Sequence, residues 1–213
     1  ASDVYKRQVL QVGDRVFDNS GRHQLDQMMA GKPSLATLKT RIEDYKPAQT
    51  SAEGGVVISS ADGIVQVEGM DKAVYAAADR GKPLLGICLG MQLLFERSFE
   101  YGEHRGLGLL KGDVVAMEGR LPAELKIPHM GWNSLHKVKP SRILANTREG
   151  EFVYFVHSYF ASGCDDSLAA TTDYGQDLTA AVENGCVCGC QFHPEKSGPA
   201  GLDILRAFCA MEG

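Results

Sequence analysis

The stretch "PLLGICLGMQLLFERS" (Pro83 to Ser98) constrains this chain more than any other: an apolar run passes through G-x-C-x-G into an amphipathic segment. The run reads as a strand and the segment as a helix, so Cys88 falls on a strand-to-helix turn. Such a turn lifts one side chain clear of a sheet, and Gly86 and Gly90 let neighbouring backbone approach without Cβ clashes. The helix N-terminus favours a thiolate at Cys88. The N–H of Leu89 can face a developing oxyanion. The competing reading of Cys88 is a small buried hydrophobe, the usual state of a free cysteine.

A nucleophilic thiol needs a base and a group to orient it, and "QFHPEKS" (Gln191 to Ser197) supplies both. Pro194 fixes its own φ and disfavours helix at His193. In an extended segment residues i and i+2 project to one side. Glu195 can therefore hold the His193 imidazole in the tautomer that accepts a proton. The strand "CVCGCQF" ends here, so His193 emerges at a strand terminus, where open α/β sheets place their chemistry. The other histidines, His23, His104, His129, His136 and His157, show no comparable partner in the sequence.

Strands are expected in "PLLGIC", "EFVYFVHSYFA", "LAATTDY", "LTAAVENG" and "CVCGCQFH", and a short one in "GGVVIS". The first two read as strands buried on both faces. Helices are expected at 70–80, closed by Gly81 and Pro83, and at 91–98 and 201–211, with less legible ones at 21–33 and 34–46. This interleaving predicts a mostly parallel α/β sheet in a single domain. A net charge of −5 without a long basic run argues against a nucleic-acid partner. No apolar run approaches a membrane span and "ASDVYKRQ" lacks a signal-like apolar core, so a cytoplasmic location is expected. There the six cysteines should be reduced thiols. Cys186, Cys188 and Cys190 alternate, and their expected role is core packing rather than metal binding. No metal or cofactor is expected.

"GICLGMQLLFERS" and "GCQFHPEKS" resemble the two signature segments of class I glutamine amidotransferases. "GLGLLKGDV", "KIPHMGWNSL", "YFVHSYF", "ATTDYG" and "LTAAV" follow in an order similar to the glutaminase subunits of imidazole glycerol phosphate synthase. The resemblance runs from about Gly69 to the C-terminus. It implies a three-layer, flavodoxin-like α/β fold with helices on both faces of a mixed sheet, and a Cys88–His193–Glu195 triad that hydrolyses glutamine through a thioester. It also implies that ammonia passes to a (β/α)₈ cyclase subunit in a heterodimer. By the same resemblance Leu89, Gly90, Gln92, Glu100, Ser158 and Tyr159 contact glutamine. Pro128, His129, Met130, Trp132, Tyr154 and Lys196 lie at the partner interface. A glutaminase of the anthranilate or aminodeoxychorismate type, or a catalytically impaired docking subunit, are the alternatives.

The front departs from this pattern. Residues 1–68 are expected to be atypical, either divergent or foreign. Where the family carries a Pro-Gly-rich loop that completes the oxyanion hole, this chain has Ser59, Ser60, Ala61, Asp62 and Gly63. Loss of one oxyanion donor costs about 10²–10³ in rate. Weak ammonia release from glutamine, even with the partner present, is therefore the expected outcome; a rate in the family's normal range contradicts it.

Overall fold

The chain divides into two units, residues 1–76 and 77–213. A computed structural model describes residues 70–212 and, before them, the backbone of four strands at 10–12, 15–17, 56–61 and 64–68. In the first unit β1 (Leu10–Val12) pairs antiparallel with β2 (Arg15–Phe17), and β3 (Val56–Ala61) with β4 (Ile64–Glu68). The expected strand "GGVVIS" corresponds to β3. The helices expected at 21–33 and 34–46 lie outside the described residues.

Helix α1 (Asp71–Asp79) ends at Gly81, whose φ of 73° permits the left-handed stop anticipated there. The chain then enters β5 (Leu84–Ile87), buried at all four positions, and turns through Cys88 into α2 (Leu89–Leu93). Short strands β6 (Arg97–Ser98), β7 (His104–Arg105) and β8 (Asp113–Ala116) follow. Beyond them come β9 (His129–Ser134), β10 (His136–Lys137), β11 (Phe152–His157) and β12 (Tyr159–Ser162). Strands β13 (Leu168–Asp173), β14 (Asp177–Asn184) and β15 (Val187–Cys190) lead to a 3₁₀ turn (Pro194–Lys196) and α3 (Gly198–Cys209).

A five-stranded sheet runs in the order β10-β13-β14-β15-β5. Its β15–β5 pairing is parallel, with Gly189 opposite Gly86 and Cys190 opposite Ile87. That register is decisive for the site, because parallel neighbours bring the residues after both strands, Cys88 and His193, to one end of the sheet. The other pairings of this sheet are antiparallel. Strands β12-β8-β6-β7 form a second sheet, parallel only at β6–β8, and β9 pairs antiparallel with β11. The parallel order expected of the sheet is thus confined, among the described residues, to these two pairings.

Two elements differ from expectation for local reasons. The helix expected at 91–98 stops at Leu93, because the loop at 106–110 satisfies the following carbonyls. Leu107, Leu110 and Gly108 donate their N–H groups to Leu93, Leu94 and Phe95. Arg97 is drawn into β6 by a bidentate bond to Asp113 at 2.9 and 2.8 Å. The single strand expected over 151–161 breaks at Ser158, where β11 and β12 take different partners. Strand β11 is also buried on one face only, with Phe152 exposed and Val153, Phe155 and His157 inside.

Met91, Phe95, Phe155, Phe192 and Ile204 are fully enclosed, each contributing about 1.5–3 kcal/mol by burial. The tightest approach is at β5–α2, where a Cβ on Gly86 would stand 2.5 Å from the Gly90 carbonyl oxygen and 2.7 Å from the Met91 Cα. A Cβ on Gly90 meets nothing within 4 Å. Only the first glycine of G-x-C-x-G is therefore demanded by packing. Gly86→Ala is expected to lower stability by about 3 kcal/mol, as overpacking against backbone does. Gly90→Ala should leave the denaturation midpoint unchanged or raised. Urea titration of the two variants checks both.

Candidate functional site

Cys88 adopts φ 53° and ψ −110°, a left-handed conformation that non-glycine residues rarely take. The turn is held from both sides. The Cys88 N–H donates to the Cys190 carbonyl at 2.7 Å, extending the β15–β5 ladder, and the Cys88 carbonyl accepts from the Gln92 N–H at 3.2 Å. The sulfur faces inward, 3.8 Å from the Val156 carbonyl and 3.8 Å from the Gln191 amide nitrogen.

His193 carries the chemistry toward this sulfur. Its Nδ1 lies 2.7 Å from Glu195 Oε1, and the Cys88 side chain is close enough to act on its protonation. Burial acts to lower the imidazolium's pKa, but the bonds and charges of Cys88 and Glu195 outweigh it and push it up to about 9. At neutral pH the ring is an acid poised beside the thiol. The second carboxylate oxygen, Glu195 Oε2, is buried with no hydrogen-bond partner among the described residues.

The backbone of this segment is tied to β11. His193 N–H donates to the Tyr154 carbonyl at 2.8 Å. Ser197 Oγ accepts from the Tyr154 N–H at 3.0 Å and donates to the His193 carbonyl at 2.6 Å. Ser197 and Gln191 are site residues that the sequence reading does not single out. Gln191 is fully buried, and its Oε1 accepts from Gln92 Nε2 at 3.0 Å. Both lie within "QFHPEKS", two residues from the triad candidates on either side.

The structure brings together Cys88, His193, Glu195, Gln92 and the Ser158–Tyr159 junction. Gln92 Nε2 donates to the Tyr159 carbonyl at 3.0 Å, and the Ser158 carbonyl accepts from Met117 N–H at 3.0 Å. Leu89 and Gly90 open α2 directly after the thiol. Glu100 sits apart, half-buried in the β6–β7 turn, where desolvation raises its pKa against the opposing charge of His104. Of the expected interface residues, Met130 (63% exposed) and Trp132 (55%) stand out from β9. Trp132 meets the half-buried Tyr154 edge to face, ring centroids 6.1 Å apart. Pro128 is exposed and follows a cis peptide bond, and Lys196 is half-buried. His129 is not at the surface. It is 3% exposed and faces into the protein.

His129, His157 and His136 have partners that the sequence does not reveal, while His23 lies outside the described residues. His129 Nδ1 lies 3.1 Å from His157 Nε2, and His136 Nδ1 lies 3.2 Å from Glu149. The sequence hides the first pair because cross-strand partners on β9 and β11 are 28 residues apart. Cys188 and Cys190 are buried, as core packing requires, and desolvation pushes the Cys188 thiol up to about 12.

The family model described as "Glutamine amidotransferase class-I" matches residues 24–211. The chain belongs to the class-I glutamine amidotransferase family. The match covers much of the front, reaching well before the motifs that begin near Gly69. The amidotransferase is 54% identical over 131 residues to imidazole glycerol phosphate synthase subunit HisH of Aquifex aeolicus, an alignment spanning 61% of either chain. It is 48% identical over 169 residues to the HisH subunit of Desulfitobacterium hafniense (strain DSM 10664 / DCB-2), covering 76% of this chain and 78% of that one. Its fold is similar to that of a structure of PurLQS from Thermotoga maritima, with a TM-score of 0.51 and 22% identity over 67% of this chain and 68% of that one. No helix among the described residues of the amidotransferase is long and apolar enough to cross a membrane.

The buried histidines set an acid limit on stability. Burial lowers His157 to about 3 and His129 to about 4, whereas unfolded chains protonate them near pH 6.5. Between those values the unfolded state binds more protons, so their stabilising contribution, present above 6.5, is lost as pH falls. The slope is about 1.4 kcal/mol per pH unit per ring. His193 has the opposite sign: its contribution is full below 6.5 and lost as pH rises through about 9. Urea midpoints should drop between pH 6.5 and 4, and His157→Asn should flatten that drop.

Proposed function

We propose that this chain is the glutaminase subunit of imidazole glycerol phosphate synthase, with Cys88 as nucleophile, His193 as acid and base, and Glu195 as the group that orients it. The observation that carries the reading is a strained Cys88 beside a His193–Glu195 pair bonded at 2.7 Å in a class-I amidotransferase. HisH relatives at about half identity narrow the amidotransferase to this synthase.

The chemistry follows from the protonation states. The Cys88 sulfur attacks the carboxamide carbon of glutamine as the thiolate paired with the His193 imidazolium, forming a C–S bond and an oxyanion. As the tetrahedral species collapses, the C–N bond breaks and His193 gives its proton to the departing nitrogen, releasing ammonia. His193 is now neutral, and the thioester sulfur carries no charge to draw a proton back. The ring can therefore take a proton from water as that water attacks the thioester. The second tetrahedral species expels the thiolate, the glutamic acid formed loses its proton to solvent and leaves as glutamate, and the thiolate–imidazolium pair is restored.

Free ammonia is largely protonated near neutral pH and then cannot act as a nucleophile, which favours direct delivery to a cyclase subunit, a (β/α)₈ barrel. The exposed β9 face with Met130 and Trp132, next to Tyr154 and Lys196, is where this cyclase docks in the proposed assembly, and the cytoplasm is the compartment. Tyr154 suits a relay role, because its carbonyl holds the His193 N–H.

An electrophilic glutamine analogue, followed by peptide mass analysis, tests the proposal. Alkylation confined to Cys88 and absent in Cys88→Ala is the expected result; folded protein left unlabelled refutes glutaminase chemistry and leaves a docking subunit. The pH profile of that alkylation should fall above about 9 as His193 loses its proton. In Glu195→Gln this limb should move to lower pH, since one bond and one charge supporting the imidazolium are gone.

A further inference from the structure

Three side chains, running between two backbone carbonyls, form a hydrogen-bonded chain whose direction is set at one end. The Tyr159 carbonyl can only accept, so His157 Nδ1, 2.8 Å away, carries the hydrogen. His157 Nε2 therefore presents a lone pair to His129 Nδ1 at 3.1 Å, and His129 must donate there. His129 Nε2 is left as an acceptor, and the Asn133 amide nitrogen stands 3.4 Å from it. That amide is itself anchored on the Asp173 carbonyl at 2.7 Å. Every ring nitrogen has one role, and both rings are neutral.

The rings have little freedom to leave these roles. His129 and His157 are 3% and 6% exposed. His129 is stacked between Tyr174 and Phe155, with centroid distances of 4.0 and 4.8 Å. A second proton on either ring would set N–H against N–H, and would add a charge near the His193 imidazolium. Burial, which holds both pKa values well below neutrality, acts in the same direction.

We propose that His157, held in one tautomer by His129, is a positioning residue for glutamine: it fixes the Tyr159 carbonyl and with it the Ser158–Tyr159 backbone. The inference rests on the proposed function and on the glutamine contact that the family resemblance implies for Ser158 and Tyr159. At Ser158 the chain leaves β9 for β8, so the backbone there lacks continuous ladder support. The His157 side chain spans that break, bonding two residues ahead of itself. The same carbonyl accepts from Gln92 of α2, the helix that begins at the thiol. One oxygen thus joins the nucleophile's helix to the substrate-contacting turn, and the imidazole pair ties it to β9.

The test measures alkylation of the full-length chain by a diazoketone analogue of glutamine, read as half-saturating concentration and maximal rate, beside alkylation of Cys88 by iodoacetamide. His157→Phe removes the donor to Tyr159. It should raise the half-saturating concentration about five- to tenfold, the effect of one neutral hydrogen bond, while maximal rate and iodoacetamide reactivity stay within about twofold. His157→Asn, whose amide can donate to the same carbonyl, should restore most of the loss. His129→Phe leaves His157 in place without its donor and should give a smaller rise; it keeps the test open should His157→Phe fail to fold. An unchanged half-saturating concentration in folded variants overturns the proposal. So does an equal loss toward both reagents, which would mean that His157 acts on the thiol itself. A wild-type Cys88 that reacts with iodoacetamide but never with the analogue overturns instead the glutamine reading beneath it.

Discussion

Everything at the candidate site depends on how closely β5 and α2 approach one another. With the Gly86 Cα placed where a side chain would strike the Gly90 carbonyl and Met91, the chain has no room for a relaxed connection. It turns instead through a cysteine at φ 53°. Such a conformation costs on the order of 1–3 kcal/mol and persists only where its surroundings over-determine it. Here the surroundings are the Cys190 carbonyl below and the first turn of α2 above. The strained residue is the nucleophile of the proposed reaction, and its strain is what aims the sulfur toward β11 and the segment after β15.

The second constraint is electrostatic. Placing an imidazole at 12% and a carboxylate at 6% side-chain exposure opposes charge on both, yet the 2.7 Å contact between them and the thiol beside the ring reverse the outcome for His193. The neighbouring imidazoles go the other way. His129 and His157 have no acidic partner in their chain of bonds, so desolvation wins and they stay neutral. Histidines of different charge state thus lie close together with different bonds: His193 is paired with a carboxylate, His157 holds a backbone carbonyl, and His129 holds His157. The division follows from whether an anion is within reach.

Main-chain bonds link these parts to the strand pair that presents Met130 and Trp132. Tyr154 holds His193 through its carbonyl and takes Ser197 on its N–H, while its ring packs on Trp132. Displacement of β9 and β11 therefore bears on His193 through two hydrogen bonds and on the Ser158–Tyr159 turn through the histidine pair. No such linkage could be read from exposure alone.

Much of this was determined by the sequence itself. Local rules suffice for the β5–α2 turn and for the stop at Gly81, because each involves residues a few positions apart; His193 and Glu195 meet as expected, but through a 3₁₀ turn at Pro194–Lys196 rather than an extended segment. The elements that escaped were those decided by distant partners. The helix through 91–98 was cut short by a loop more than ten residues on, which took its carbonyls. The strand through 151–161 was divided because β9 and β8 compete for its two halves. Gly90, grouped by spacing with Gly86, meets nothing within 4 Å, whereas only the fold reveals that Gly86 is sterically required. Most of all, the parallel β15–β5 register that brings Cys88 to His193, and the β9–β11 register that sets His129 against His157, join residues separated by 105 and 28 positions. Local chemistry is encoded in neighbouring residues, but pairing across such distances is a property of hydrogen-bond ladders and shared burial. Those exist only once the chain has folded.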